Sequence, residues 1–147
     1  MATPAAARAV VLDTNVVLDL LLFQDGSTLP LRQALDAGTL RWLVLPVMRE
    51  EFVRVLDYVH IARWREAHGV ALPALLAAFD AGSTPCAPVP AGTVACSDPD
   101  DQPFLDLALA HGALLLSRDR AVLAVRHRLA ACGVDVRQRL VTNSPDT

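Results

Sequence analysis

The chain has 147 residues, 53% hydrophobic and 20% charged, which fits one domain with a buried core and does not fit a disordered chain. A net charge of −3 offers neither the basic surface of a general nucleic-acid binder nor a polybasic membrane patch. All 13 basic residues are arginine, and the absence of lysine excludes lysine-based phosphate loops, Schiff-base and pyridoxal phosphate chemistry, and the receiver-domain type of α/β fold.

Ala9-Val10-Val11-Leu12 is a β-branched apolar run ending at Asp13 and reads as a buried strand. Thr14-Asn15 is turn or cap chemistry, and Val16 to Phe23 reads as a helix. A loop over Gln24–Ser27 leads to a second helix, Leu29–Ala37, closed by Gly38. Leu40–Leu45 is the second predicted strand, stopped by Pro46. Val47 to about Trp64 is predicted as one long amphipathic helix, with Met48, Phe52, Val55, Leu56 and Val59 on its buried face. Leu72–Ala81 is a further helix. Gly82–Pro99, with Pro85, Pro88 and Pro90, is predicted as loop with one short strand near Ala87–Val89. Gln102–His111 is a helix with Pro103 in its first turn and Gly112 at its end. Ala113–Leu116 is the third clear strand, Ala121–Ala131 a helix, and Val134–Val136 a last short strand. Residues 1–141 read as one domain and 142–147 as a polar, frayed tail. Alternating strands and helices predict an α/β fold, a doubly wound, mostly parallel sheet of four to five strands between helical layers.

Three cysteines without a CxxC pair and four histidines without HxxxH spacing give no disulfide framework and no zinc motif. No apolar stretch is long enough to span a membrane, and the N-terminus lacks signal-peptide features, so a cytoplasmic protein is expected.

The acids carry the chemistry. Ligands of open parallel sheets bind at the carboxyl ends of the strands. Two strands end in aspartate, at Leu12-Asp13 and at Ser117-Arg118-Asp119. Asp98-Pro99-Asp100-Asp101 opens the helix before the second of these strands, and Glu50-Glu51 lies in the first turns of the long helix. Singly, each has an ordinary role as turn former, N-cap or helix-dipole partner, with Asp101 the best N-cap candidate. Together, four crowded carboxylates repel unless a cation lies between them, and an all-oxygen set favours Mg²⁺ or Mn²⁺. At 100° per residue, Glu51 falls at the border of the apolar stripe and Glu50 nearly opposite it, so Glu51 is the ligand candidate and Glu50 a solvated residue. Asp19 and Asp106 read as solvated helix residues.

Val11-Leu12-Asp13-Thr14-Asn15-Val16-Val17-Leu18 resembles the opening motif of the PIN-domain ribonucleases. Arg49-Glu50-Glu51-Phe52-Val53-Arg54-Val55-Leu56 resembles the helix carrying that family's glutamate. The segment Asp98 to Ala108 is similar to the third-acid region of the bacterial toxin branch, and Leu115-Leu116-Ser117-Arg118-Asp119 to the strand end that supplies the fourth acid. The resemblance covers roughly residues 9 to 125. It implies a PIN-like α/β/α fold and a metal-dependent endoribonuclease, the toxin of a toxin–antitoxin pair. Carried over position by position, it implies Asp13, Glu51, Asp101 and Asp119 as catalytic metal ligands for Mg²⁺ or Mn²⁺, supported by Thr14, Asn15 and Ser117. Two residues after Asp119 the family often has another aspartate; Ala121 stands there, which leaves the completeness of a second metal site open.

A hydrolytic metal site needs no side-chain nucleophile, in keeping with the absence of any Cys/His or Ser/His constellation. Setting aside the four ligands leaves the rest of the chain slightly basic, through arginines suited to bidentate phosphate contact. Arg118 and Arg120 flank Asp119 and are the candidates for RNA contact. Expected partners are RNA, a cognate antitoxin protein and a second copy of the chain in a dimer, with no membrane. The alternative is a catalytically impaired module of the same fold that binds RNA or protein, which Ala121 favours and the four retained acids disfavour. A Rossmann-type nucleotide binder lacks GxGxxG after the first strand, and an aspartate-nucleophile phosphatase would need aspartate where Asn15 stands.

Overall fold

A computed structural model describes residues 7–141. Both the tail from Thr142 and most of the N-terminal segment before the first strand lie outside them. Five strands form one parallel sheet in the order β3-β2-β1-β4-β5, with β1 Arg8–Leu12, β2 Leu40–Val44, β3 Ser83–Pro85, β4 Leu114–Leu116 and β5 Val136–Arg137. The strand count and helical layers match the predicted three-layer α/β/α fold. Helices cover both faces, so the central strands are apolar throughout: Val10–Leu12 and Leu114–Leu116 are all buried.

The chain leaves β1 in one direction for β2 and later returns to its other side as β4, with Val10 opposite Leu114 and Leu12 opposite Leu116. The gap between the carboxyl ends of β1 and β4 is therefore a topological switch point, where two loops diverge and leave a crevice. Asp13 follows one of these strands and Ser117 the other. The Asp13 amide donates to the Leu116 carbonyl at 3.1 Å, which extends the ladder to the rim of the crevice.

The first helix starts earlier than predicted. α1, Thr14–Val17, runs directly into a widened turn over Leu18–Leu22, where the Phe23 amide reaches back five residues to Leu18. α2, Leu29–Ala37, ends at Gly38 as expected, in the left-handed conformation (φ 76°) that glycine tolerates.

The long helix expected from Val47 to Trp64 is two. α3 spans Pro46–Leu56 and α4 spans Val59–Ala67, separated by Asp57 and an extended Tyr58. No proline or glycine marks the break; tertiary packing imposes it. On a straight helix Ile61 would lie half a turn from Phe52, on the solvent side. The break instead buries Ile61 and places Trp64 edge-on to Phe23 at 4.9 Å, while Val59, expected on the buried face, is 65% exposed.

α5, Leu72–Gly82, carries Phe79, which packs against Trp42 of β2 (4.9 Å) and stacks on Phe52 of α3 (5.0 Å). The short strand expected at Ala87–Val89 lies earlier, at Ser83–Pro85, paired with Trp42–Val44. Proline fits there because β3 is an edge strand, and the Cys86 amide closes the pairing onto the Val44 carbonyl at 2.8 Å.

α6, Gln102–His111, packs on β1 and β4 through Phe104, Leu105, Leu107 and Ala108. The helix expected over Ala121–Ala131 is divided into α7, Arg120–Leu123, and α8, Arg126–Ala131. No helix among the described residues is long and apolar enough to cross a membrane.

Candidate metal centre

Asp13 caps α1. One carboxylate oxygen accepts from the amides of Asn15 (2.8 Å) and Val16 (3.3 Å), and the other accepts the Ser117 hydroxyl at 2.6 Å. The ordinary N-cap role and the site role coincide in this residue. Three of its about four acceptor positions are filled, and the one left open is on the oxygen that faces Ser117. Burial raises its pKa, against the pull of the Ser117, Val16 and Asn15 hydrogen bonds, and the Asp119 charge raises it further.

Ser117 is fully buried and bridges the two strand ends. Its hydroxyl donates to Asp13 and accepts from the Asp119 amide at 3.1 Å. Its proton direction is thereby fixed: an amide can only donate, so the hydroxyl hydrogen goes to Asp13. Asp119 in turn caps α7, accepting from the Ala121 amide at 2.8 Å.

Asp98, Asp100 and Asp101 lie on a single tight turn, Pro99–Asp101, that leads into α6. Asp98 caps this turn by accepting from the Asp100 amide at 3.0 Å. Asp101 holds the N-cap position of α6, yet its side chain makes no capping bond. The cap expected of it is supplied one turn earlier by Asp98. The Asp101 carboxyl is buried, and its Oδ2 has no hydrogen-bond partner. Carboxylate oxygens of Asp98, Asp101 and Asp119 all lie within 4.8 Å of one another. Burial and the charges of Asp119, Asp98 and Asp13, together with a hydrogen bond shared with Asp119, push the Asp101 pKa up to about 7.

Gln102 fixes the approach to this turn. Its amide nitrogen donates to the Val94 carbonyl (2.9 Å) and to Asp106 (2.8 Å), and its oxygen accepts from the Cys96 amide (2.7 Å). Asp106 also accepts from the Gly92 amide at 2.9 Å, so it is a loop anchor and not the solvated residue expected.

Glu51 is half-buried and Glu50 is exposed, as the helix phase requires. Burial raises the pKa of Glu51, opposed by the Thr14 hydroxyl and Arg54 and reinforced by Asp100 and Asp13. Asp13, Glu51, Asp98, Asp100, Asp101 and Asp119 line one cleft of about 470 Å³, with Thr14 and Asn15 on its edge.

All four acids singled out from the sequence thus meet in one cleft. Asp98 joins them, an acid that the family resemblance does not carry over as a ligand. Its signal was its spacing, three residues before Asp101, which places the two carboxylates on one side of a helical turn. The arginines stand elsewhere. Arg120 is exposed at the start of α7, and Arg118 pairs with Asp19 in a neighbouring cavity that Arg139 and Gln138 also line. Asp19, read as a solvated helix residue, is the partner that turns Arg118 aside.

Carboxylates this close, one with a buried oxygen lacking any partner, could hold a hard divalent cation. The donor set is oxygen only, and burial, with the neighbouring carboxylates adding to it, raises the pKa of Asp13, Glu51 and Asp101. Among curated proteins none matches the chain. The family model described as PIN domain matches residues 9–121, a span that runs from within β1 to the start of α7 and takes in every acid of the cleft. PIN domains are generally metal-dependent nucleases. The chain belongs to the PIN-domain family.

Proposed function

We propose that the protein is a metal-dependent endoribonuclease and the toxin component of a toxin–antitoxin pair, acting in the cytoplasm. The observation that carries the nuclease reading is the unpartnered, buried Oδ2 of Asp101, set among Asp98 and Asp119 in the cleft shared with Asp13 and Glu51.

In this reading Asp13, Glu51, Asp101 and Asp119 hold Mg²⁺ or Mn²⁺, with Asp98 as a fifth acid. When bound, the cation lowers the pKa of a water and neutralises charge on the phosphoryl group. The remaining work belongs to the chain. Ser117 holds Asp13 with its open acceptor position toward the cleft. Asp101, its pKa pushed up to about 7 by burial and its acidic neighbours, would have to give up any proton it carries for a cation to be held there. Thr14 and Asn15 start α1 so that its amides fix the Asp13 carboxylate from below. Arg118 and Arg120 flank Asp119 in the chain and are exposed; in this reading they contact RNA phosphates outside the cleft, Arg118 after leaving Asp19.

The deciding experiment incubates single-stranded RNA with the protein in Mg²⁺, Mn²⁺ or EDTA. Cleavage that needs the metal and disappears in Asp101→Asn supports the proposal. RNA binding with no cleavage in any metal replaces it with the impaired module that Ala121 favours. Growth arrest on expression, relieved by the product of an adjacent reading frame, tests the toxin role and the antitoxin partner. Sedimentation tests the dimer.

A further inference from the structure

Beyond its carboxylates, the acidic cleft is lined by apolar side chains, among them Phe23 and Phe104, and by the rings of Tyr58 and His60. Tyr58 is the single tyrosine of the chain and is 47% exposed. It occupies the break between α3 and α4, with an extended backbone (φ −60°, ψ 140°) that turns it out of the helix. His60, two residues on, is exposed as well, and the two rings are tilted by 39° with centroids 6.4 Å apart, so neither is stacked on the other. The contrast is with Trp64 and His68, which stack at 3.8 Å, and with Phe23, whose ring is held edge-on by Trp64. At the cleft, an aromatic face is left uncovered beside a cluster of acids.

That combination is unusual in its electrostatics. A cleft lined by six carboxylates in a chain of net charge −3 repels a phosphate backbone. Counterion release, the ordinary source of nucleic-acid affinity, is weak there. A bound cation and the arginines that flank Asp119 would offset part of that repulsion; contacts that carry no charge add to affinity, and an exposed ring in the same cleft offers one. Bases stack on aromatic side chains whatever their identity, provided the strand is unpaired and the base can leave its neighbours.

We propose that Tyr58 is a stacking platform for a base of a single-stranded nucleic acid adjacent to the phosphate over the carboxylate cluster, with His60 bounding the same subsite. This deepens the nuclease reading and rests on it for the position of the phosphate. The contact needs an unpaired base, because a base locked in a duplex cannot reach the ring. It also gives the helix break a use that its sequence, free of proline and glycine, does not otherwise declare.

The test uses the uniqueness of Tyr58. Protein labelled with 3-fluorotyrosine has one ¹⁹F resonance. It is titrated with a single-stranded RNA tetranucleotide in Ca²⁺, with Asp13→Asn present to prevent turnover. A saturable shift is expected, lost when the tetranucleotide is made abasic beside the central phosphate. In cleavage assays Tyr58→Ala should raise KM about tenfold, the ordinary effect of one lost stacking contact, with kcat little changed. Tyr58→Phe should restore the KM, and abasic substrate should cancel the difference between Tyr58→Ala and wild type. An unmoved resonance at saturating RNA, or a Tyr58→Ala enzyme of normal KM, overturns the stacking platform while metal-dependent cleavage would leave the nuclease standing. A base-dependent shift without cleavage in any metal would do the reverse.

Discussion

Asp101→Asn should stabilise the metal-free protein, and only above the usual carboxylate range of pH. In the folded chain the Asp101 pKa is pushed from 3.8 to about 7 by burial and by its acidic neighbours. The folded state therefore binds a proton that the unfolded chain has already released. Stability from this group is complete below about pH 4 and is lost as pH rises toward 7. A shift of that size corresponds to about 4 kcal/mol if fully expressed. The cleft opens to solvent, and screening reduces the expected gain to about 1–2 kcal/mol. Asparagine keeps the shape and removes the charge, so in EDTA at pH 8 the variant should melt roughly 3–8 °C above wild type, and at pH 4 the two should coincide. Differential scanning fluorimetry across that range reads the effect directly. With Mn²⁺ at pH 8 the order should invert, because only the wild type gains a ligand. Equal melting of the two proteins in EDTA at pH 8 would show that Asp101 is solvated and that the crowding argument fails.

Mn²⁺ at a hundred times its Kd should stabilise wild type by about 2.7 kcal/mol, and EDTA should remove that gain; no thermal shift at millimolar metal would leave the carboxylate cluster without its counterion. Glu51→Gln should cut cleavage about a hundredfold or more, while Glu50→Gln stays within a few-fold of wild type, and a reversed pattern in a steady-state assay would place the wrong face of α3 in the cleft. Gln102→Ala removes two hydrogen bonds to the loop that precedes Asp98 and one to Asp106, and should cost about 2 kcal/mol in urea denaturation; an unchanged midpoint would mean the loop holds its shape without it.

The parallel sheet and the four principal acids were legible because each depends on short-range pattern. Short apolar runs bounded by turn residues read as buried strands, their aspartates gain meaning by standing together at the strand ends, and Glu51 separated from Glu50 by helix phase alone. What escaped depended on contacts that the fold makes and local propensity does not encode. The break at Asp57-Tyr58 follows from burying Ile61 and meeting Phe23, neither of which local propensity encodes. The edge strand at Ser83 is chosen by pairing with Trp42–Val44, not by the apolar residues that follow it. The role of Asp106 needed Gly92 and Gln102 beside it, and the turning of Arg118 needed Asp19. Asp101 was expected to cap a helix, and only the fold shows that Asp98 relieves it of that duty.

The hydrogen bond that the Asp13 amide donates to the Leu116 carbonyl governs how that amide exchanges with solvent. It joins the two most enclosed strands of the sheet, where Val10, Val11, Leu115 and Ser117 have no exposed surface. An amide in that position exchanges its hydrogen only when the whole sheet opens, whereas the loop that holds Asp98 can open by itself. The two sides of the cleft therefore differ in how they bear the repulsion of their carboxylates. On the Asp98 side, a brief local opening relieves it. On the Asp13 side nothing short of global unfolding does, so deuterium uptake at Asp13 should slow when metal is added by the full gain in global stability, while uptake around Asp98 reports only the closing of its own turn.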